Sequence, residues 1–265
     1  MKRFITMFVA VMAAVVMAKA EVEFAYEAGA DIVSSYIWRG QYNGGLSLQP
    51  EGLVGFDAKD GAISFRAGAW ASIGASDWKF KKDQNDGTGY TMFMPEVDFI
   101  ASLTAFGASV GYNEYYYCDD WSSHTSEIWA GYSFDHAFGV SAYVNWYTII
   151  AGADINKTTG KQAFSSYLEL GYDYTFEDLG LTLGAQIGMS PWESPMYYNE
   201  KFAVVNLSLK IDKEFDLDVC TLNVFATGSL NPDGLDKTNV FVNAAGDDKL
   251  YCQKLNGTIG LGIWF

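Results

Sequence analysis

The chain has 265 residues, a net charge of −15 at pH 7, 16% aromatic residues and 27 glycines. This acidic balance excludes a protein that binds nucleic acid through its phosphates. The high content of Gly, Tyr and Phe is typical of strands, tight turns and aromatic girdles rather than of helices. Because one domain suffices for this length, we expect a single all-β domain.

The N-terminal residues have the pattern of a secretory signal peptide. Lys2 and Arg3 precede an apolar run that ends at Ala18, and Ala18-Lys19-Ala20 is a suitable cleavage site. The run is shorter than the roughly 20 residues that a membrane helix needs, and no apolar run of that length follows in the sequence. We therefore expect residues 1–20 to be removed and residues 21–265 to form a domain that crosses a membrane only as a β-barrel.

Apolar and polar residues alternate along the mature chain with the period of a strand. The first predicted strand runs from Phe24 to Trp38, with apolar residues at even positions, and Arg39–Gly45 turns the chain into a second strand, Leu46–Phe56. Ten more strands are predicted, at about 63–73, 93–103, 108–117, 125–134, 140–150, 165–176, 181–189, 202–211, 218–230 and 251–265. The sequence therefore predicts twelve strands.

The predicted connections alternate in length. Short turns follow the even-numbered strands, at Asp57–Gly61, Thr104–Gly107, Asp135–Gly139, Glu177–Gly180 and Asp212–Asp216. Longer loops follow most odd-numbered strands, up to Ala75–Thr91 and Asn231–Leu250. Short periplasmic turns and long outer loops are typical of an up-and-down antiparallel transmembrane β-barrel, whereas a soluble β-sandwich has no reason to alternate in this way.

Aromatic residues cluster at both ends of the predicted strands, as in the girdles of membrane barrels. The outer set is Tyr36, Trp38, Tyr115, Tyr116, Tyr117, Trp121 and Trp146. The inner set is Phe56, Phe99, Phe106, Phe134, Phe138, Phe176 and Phe265. We interpret both sets as lying at the membrane interfaces, against the alternative that they form a soluble core.

Two stretches of the chain resemble known outer-membrane barrels. Val33-Ser-Ser-Tyr-Ile-Trp-Arg-Gly-Gln41, followed by Ser47–Phe56, resembles a broad family of Gram-negative outer-membrane β-barrel proteins without an assigned activity. The last stretch, Leu255–Phe265, looks like the closing strand of such a barrel, and its terminal Phe265 resembles the signal read by the barrel-assembly machinery. The resemblance implies the fold and the outer membrane, and no activity.

The inward positions of the predicted strands are polar and mainly acidic. They are Glu27, Asp31, Glu51, Glu96, Asp98, Glu127, Glu169, Arg39, Arg66, Lys210 and Lys254. Twelve strands predict either a narrow pore or a filled interior. These charges therefore suggest either a channel whose acidic wall attracts cations or a barrel plugged by charges that pair with one another. The sequence leaves both interpretations open.

An aromatic cluster in the fifth outer loop forms a candidate mouth site. Trp192, Tyr197 and Tyr198 lie within Pro-Trp-Glu-Ser-Pro-Met-Tyr-Tyr. They could stack on a sugar, fold into the mouth as a constriction, or only cap the rim.

The sequence offers one candidate for catalysis. His124 and Ser126 are predicted to face lipid near the outer end of the sixth strand, and a similar His-x-Ser pair serves in the lipid A deacylase barrels. Here Glu127 follows Ser126 in place of that family's Asn, and no acid can be assigned to His124 from the sequence. We therefore expect no enzymatic activity and keep lipid A or phospholipid hydrolysis as an alternative.

We expect neither a metal site nor a cofactor, because His136 is the remaining histidine and no cofactor-binding motif occurs in the sequence. Cys118 and Cys252 are both predicted at the outer rim, where they could pair, whereas Cys220 lies near the other end. The expected location is the outer membrane, reached through the periplasm. The expected partners are outer-membrane lipid and lipopolysaccharide, the barrel-assembly machinery and a small hydrophilic solute, with no nucleic acid.

Overall fold

The computed structural model describes residues 22–58, 61–74, 81–82, 90–91, 96–117, 124–136, 139–156, 158–232 and 255–265. The predicted signal peptide therefore lies outside the described residues. The strands are β1 (Val22–Val33), β2 (Tyr36–Trp38), β3 (Gln41–Gly44), β4 (Ser47–Ala58), β5 (Ile63–Gly74), β6 (Lys81–Lys82), β7 (Tyr90–Thr91), β8 (Glu96–Ala105), β9 (Ala108–Tyr117), β10 (His124–His136), β11 (Val140–Gly152), β12 (Ser166–Phe176), β13 (Leu181–Ser190), β14 (Ala203–Leu217), β15 (Cys220–Leu230) and β16 (Leu255–Trp264). One 3₁₀ turn, Glu177–Leu179, precedes β13. None of the described helical segments is long and apolar enough to span a membrane.

Twelve of these strands close into one antiparallel barrel in the order β1-β16-β15-β14-β13-β12-β11-β10-β9-β8-β5-β4. Strand β1 pairs with β4 along its full length and with β16 over its second half, where Gly29 lies opposite Trp264. The predicted single twelve-stranded antiparallel barrel is confirmed. The other four strands form two separate hairpins, β2–β3 and β6–β7.

The barrel wall has an apolar exterior because the strands alternate with period two. Leu209, Ile259 and Val54 are 69%, 66% and 53% exposed on the outer face. We call the end that carries Val22 and Phe265 the terminal end, and the opposite end the loop end. Exposed phenylalanines surround the terminal end: Phe24, Phe106, Phe134, Phe176, Phe215 and Phe265. Four of them, Phe106, Phe134, Phe176 and Phe265, belong to the predicted inner girdle, whereas the predicted Phe56 is half-buried.

Two predicted strand boundaries are wrong. The first strand does not continue to Trp38 but ends at Val33, because Ser34 and Ser35 bend the chain off the wall and hydrogen-bond to residues of β16. The chain then forms the separate β2–β3 hairpin. The predicted turn at Asp212–Asp216 is part of β14, which continues to Leu217 and pairs there with Cys220.

The predicted girdle positions of four aromatic residues are wrong. Tyr36, Trp38 and Tyr115 are predicted in the girdle at the outer rim of the barrel. In the structure, Tyr36 and Tyr115 are buried inside the barrel, and Trp38 packs against the buried core cluster. Phe99 is predicted at the inner rim, but it lies near the loop end, where its ring contacts Tyr116. An aromatic residue can face either lipid or a buried interior. The alternation of apolar and polar residues therefore cannot tell a lipid-facing ring from one that packs inside the barrel. Trp121 and Phe138 lie outside the described residues.

Candidate functional site

The β2–β3 hairpin crosses the inside of the barrel near its loop end. Its two-residue turn is formed by Arg39 and Gly40, with φ of 49° and 80°, which suits a tight hairpin turn. The carbonyl of Gly40 accepts a hydrogen bond of 3.0 Å from Nδ2 of Asn256, and Nε2 of Gln41 donates one of 3.2 Å to the carbonyl of Met196. The hairpin therefore leaves the wall between β1 and β4 and contacts both β16, the neighbour of β1, and the loop after β13.

The tip of the hairpin is held by a buried ion pair. Nη2 of Arg39 lies 2.7 Å and 2.8 Å from the two carboxylate oxygens of Glu127 in β10. The Glu127 side chain is fully buried, and 9% of the Arg39 side chain is exposed. The phenol of Tyr115 donates a further hydrogen bond of 2.6 Å to Glu127. A buried charge needs such partners, since an unpaired one is costly in a dry environment.

Aromatic rings enclose the guanidinium group of Arg39. Its central carbon lies 4.6 Å, 4.1 Å and 4.9 Å from the ring centres of Trp38, Tyr147 and Tyr167. Each such cation–π contact contributes about 0.5–2 kcal/mol, more when the group is desolvated. We call Glu127, Tyr115, Tyr147, Tyr167 and Tyr197, which surround Arg39, the acidic aromatic cage.

The loop after β13 supplies Tyr197 to the cage. A compact turn positions it: Ser194 and Asn199 pair as an isolated bridge, and the backbone amide of Tyr197 donates to Oγ of Ser194. The Tyr197 ring is 1% exposed and stacks on Trp38 with ring centres 5.8 Å apart. Its hydroxyl accepts a hydrogen bond of 2.6 Å from Nη1 of Arg39. The sequence allowed this loop to stack on a sugar, to constrict the mouth or to cap the rim, and the buried position of Tyr197 fits a constriction.

Both Arg39 and Tyr197 belong to connections outside the barrel strands, and both keep their protons. Burial opposes the charge of Arg39, but the Glu127 carboxylate and the surrounding tyrosine hydroxyls together more than offset this effect, so the pKa of the guanidinium lies well above its usual value. Burial raises the pKa of the Tyr197 phenol above its usual value. A charged arginine and a neutral phenol are the forms that the observed hydrogen bonds require.

The predicted lumen residues fall at different levels of the barrel. Near the loop end, Glu96, Asp98, Glu127 and Glu169 lie on the inner face, and the last three are at most 9% exposed. Towards the terminal end, Glu27 is exposed, and Asp31 accepts a hydrogen bond of 3.2 Å from Nε1 of Trp264. Glu51 lies at the level of Trp70, its pairing partner on β5. Lys254 lies outside the described residues.

The two other basic candidates pair away from the cage. Arg66 and Asp57 form a bidentate ion pair of 2.9 Å near the terminal end. Nζ of Lys210 lies 3.3 Å from Asp212, and 49% of the lysine side chain is exposed. Among the described basic candidates, Arg39 is therefore the one that forms an ion pair within the cage, and its partner is Glu127.

The remaining candidates lie at the surface. Trp192 is 43% exposed and packs on Trp146 with ring centres 5.5 Å apart, while Tyr198 is half-buried at φ 57°. Phe265 exchanges backbone hydrogen bonds with Ala28, and its ring is 60% exposed. No group of three or more metal-ligating side chains occurs among the described residues.

The His-x-Ser pair has an acidic neighbour that sequence reasoning missed. Nδ1 of His124 lies 2.5 Å from a carboxylate oxygen of Glu114 on the adjacent strand β9, and Tyr112 donates a hydrogen bond to the same carboxylate. Ser126 lies directly opposite Glu114 in the strand register and is 6% exposed. Alternation places this cluster on the outer face, as predicted for His124 and Ser126, since Val110 and Ile128 are exposed on the same face.

The sequence contained part of the signal for the cage. Alternation puts Tyr147 and Tyr167 on the same inward face as Asn145 and Glu169, so period two alone could have placed both rings in the lumen. The pairing of Arg39 with Glu127 had no local signal, because the two residues are 88 positions apart.

Comparison with known proteins identifies distant structural matches. No protein-family model and no curated protein matches the chain. OccK2 (OpdF) of Pseudomonas aeruginosa matches with 10% identity and a TM-score of 0.34 over 80% of this chain, which spans 56% of the OccK2 chain. An outer-membrane channel from Pseudomonas putida F1 matches with 12% identity and a TM-score of 0.41, over 92% of this chain and 94% of that one. A porin matches with 11% identity and a TM-score of 0.31, over 92% and 99%. These similarities are too low to carry an inference about function.

Proposed function

We propose that the chain is an outer-membrane β-barrel through which a small hydrophilic solute passes, and that the β2–β3 hairpin closes its outer mouth. The observation that carries this proposal is the ion pair between Arg39 at the hairpin tip and Glu127 on the opposite wall. The hairpin forms its own two-stranded sheet rather than part of the barrel ladder. It can therefore leave the lumen without opening the wall.

The other end of the lumen favours a pathway over a filled barrel. Glu27 is exposed, and about half of the Lys210 side chain is accessible. Water therefore reaches charged groups well inside the wall. Because acidic side chains outnumber basic ones among the described inward candidates, cations are the expected charge class.

Conductance of the refolded mature chain in a planar bilayer tests this proposal. We expect the native protein to be closed most of the time and Arg39→Ala and Glu127→Gln to open it, because either change breaks the ion pair at the tip. Lys161→Ala, at an exposed loop position, is the matched control. Glu51→Gln should lower the cation preference of the open state, and Lys210→Gln should raise it. Silent membranes from folded native and variant proteins would favour a plugged barrel with a structural or surface-interaction role.

The location and partners belong to the same proposal. The apolar exterior suits lipid and lipopolysaccharide, with the loop end outside the cell and the terminal end in the periplasm. Phe265 would then be presented to the barrel-assembly machinery after export. Deletion of Phe265 should lower the amount of heat-modifiable barrel in the outer membrane without changing secretion into the periplasm.

A second candidate function is hydrolysis of an acyl ester at the outer face. The contact between His124 and Glu114 favours it, since an acid that orients a histidine beside a serine is the arrangement of a hydrolytic triad. Purified protein incubated with lipid A or phospholipid vesicles should release fatty acid, and His124→Ala and Ser126→Ala should abolish the release. Absent hydrolysis, or hydrolysis that survives both changes, contradicts this candidate.

A further inference from the structure

The acidic aromatic cage around Arg39 has the composition of a recognition site for a cation. One carboxylate, Glu127, takes two hydrogen bonds from the guanidinium, and the rings of Tyr147 and Tyr167 lie within 5 Å of its central carbon. Carboxylates and aromatic faces are the groups that bind guanidinium and ammonium ions in proteins. In this structure the cation is a side chain of the protein itself, delivered by a hairpin.

A second carboxylate beside the cage points to a cation from outside. Asp98 is 7% exposed, and its Oδ1 has no hydrogen-bond partner among the described residues. On the two neighbouring strands its pairing partners are Trp70 and Tyr115. A buried carboxylate flanked by aromatic residues is costly without a partner, and either a proton or a bound cation removes that cost.

The hairpin covers these flanking rings as well. Tyr36 packs on Trp70 with ring centres 5.3 Å apart, and Trp38 packs on Tyr115 at 6.1 Å. Withdrawal of the hairpin would therefore expose Asp98 and Glu127 together, with the aromatic rings around both. The charge balance would then change, because Arg39 leaves with the hairpin while the acidic groups of the wall remain.

We propose that the acidic aromatic cage, together with Asp98, binds a small organic cation whose guanidinium or ammonium group takes the place of Arg39. This inference rests on the proposed function, because it names the class of solute that enters the closed mouth. The solute displaces the tip of the hairpin by competing for the same carboxylate and rings. A neutral molecule of the same shape lacks the charge that this competition requires.

Binding to the refolded, detergent-solubilised chain tests the inference without any need for transport. The probes are butylguanidinium and its neutral isostere butylurea, titrated by calorimetry into Arg39→Ala, which lacks the internal competitor. We expect Arg39→Ala to bind butylguanidinium at least tenfold more tightly than butylurea and more tightly than the native protein does. Adding Glu127→Gln or Asp98→Asn to Arg39→Ala should weaken that binding at least tenfold, whereas adding Lys161→Ala should not change it.

If Arg39→Ala does not show a heat-modifiable fold, the titrations are made with Arg39→Gln instead. This variant keeps much of the length of the side chain without its charge. Equal binding of the charged and neutral probes, or binding that survives Glu127→Gln and Asp98→Asn, overturns the inference. Conductance separates it from the proposed function. A variant that conducts but does not distinguish the probes refutes the cation site alone, and one that binds butylguanidinium but never conducts refutes the channel alone.

Discussion

Arg39 and Glu127 lie 88 positions apart in the sequence and form an ion pair across the inside of the barrel, in which Nη2 of the arginine contacts both carboxylate oxygens. The carboxylate is fully buried, and the arginine is the turn residue of a hairpin that belongs to no barrel strand. This pair joins the first long connection of the chain to the opposite wall. It therefore fixes the tip of the hairpin inside the barrel near the loop end.

The two residues should be strongly coupled in stability. Glu127→Ala leaves a buried guanidinium without its carboxylate, and removing one partner of a buried pair costs about 3–5 kcal/mol. Arg39→Ala should cost a similar amount. The double variant should lose less than the sum of the two, with a coupling of about 1–3 kcal/mol in the free energy of unfolding in urea, measured in lipid vesicles. Strictly additive losses would show that the pair does not hold the hairpin.

Gly40 should be required for seating the hairpin. Its φ is 80°, and a Cβ there would lie 2.6 Å from the carbonyl oxygen of Val205, so Gly40→Ala should push the tip out of the lumen and raise conductance. Gly61→Ala is a matched control, because Gly61 has φ of 82° but a Cβ there would meet none of the described atoms within 4 Å. The two substitutions impose similar backbone strain and only one imposes a clash. Equal conductance changes would contradict the role of the tip.

The stability that Tyr197 contributes should depend on pH. Burial raises the pKa of its phenol above the value of about 10 in the unfolded chain. A raised pKa means that the contribution is complete below about pH 10 and is lost as the pH rises further, because only the unfolded chain then releases the proton. The free energy of unfolding should therefore fall more steeply between about pH 9 and about pH 11 in the native protein than in Tyr197→Phe. Parallel curves would show that the phenol does not titrate differently in the two states.

The lipid-facing side of β14 should not tolerate a charge. Leu209 is 69% exposed on the outer face, so Leu209→Arg should destabilise the barrel in vesicles by about 2–4 kcal/mol if it lies near the bilayer centre. Lys210→Arg, at the next position on the inner face, should have little effect. Similar losses at both positions would contradict the assignment of the two faces.

The sequence by itself determined the wall of the barrel. Alternation with period two is a local property, and it placed all twelve strands, with errors mainly at their ends, as at Val33 and Leu217. It also placed acidic residues such as Asp98 and Glu127 on the inner face, because every second side chain of a strand points to the same face along its whole length. Apolar exterior positions such as Leu209 follow from the same alternation.

Only the tertiary structure decided which connection enters the lumen and which groups meet there. Trp38 is at an even position, like the apolar, lipid-facing residues of the first predicted strand. The bend at Ser34 and Ser35 nevertheless turns it inward. Glu114 reaches His124 only because of the register between β9 and β10. Arg39 reaches Glu127 only because the closed barrel brings opposite walls within the length of one hairpin. Local patterns carry no information about such contacts, since they depend on closure and register rather than on the order of neighbouring residues.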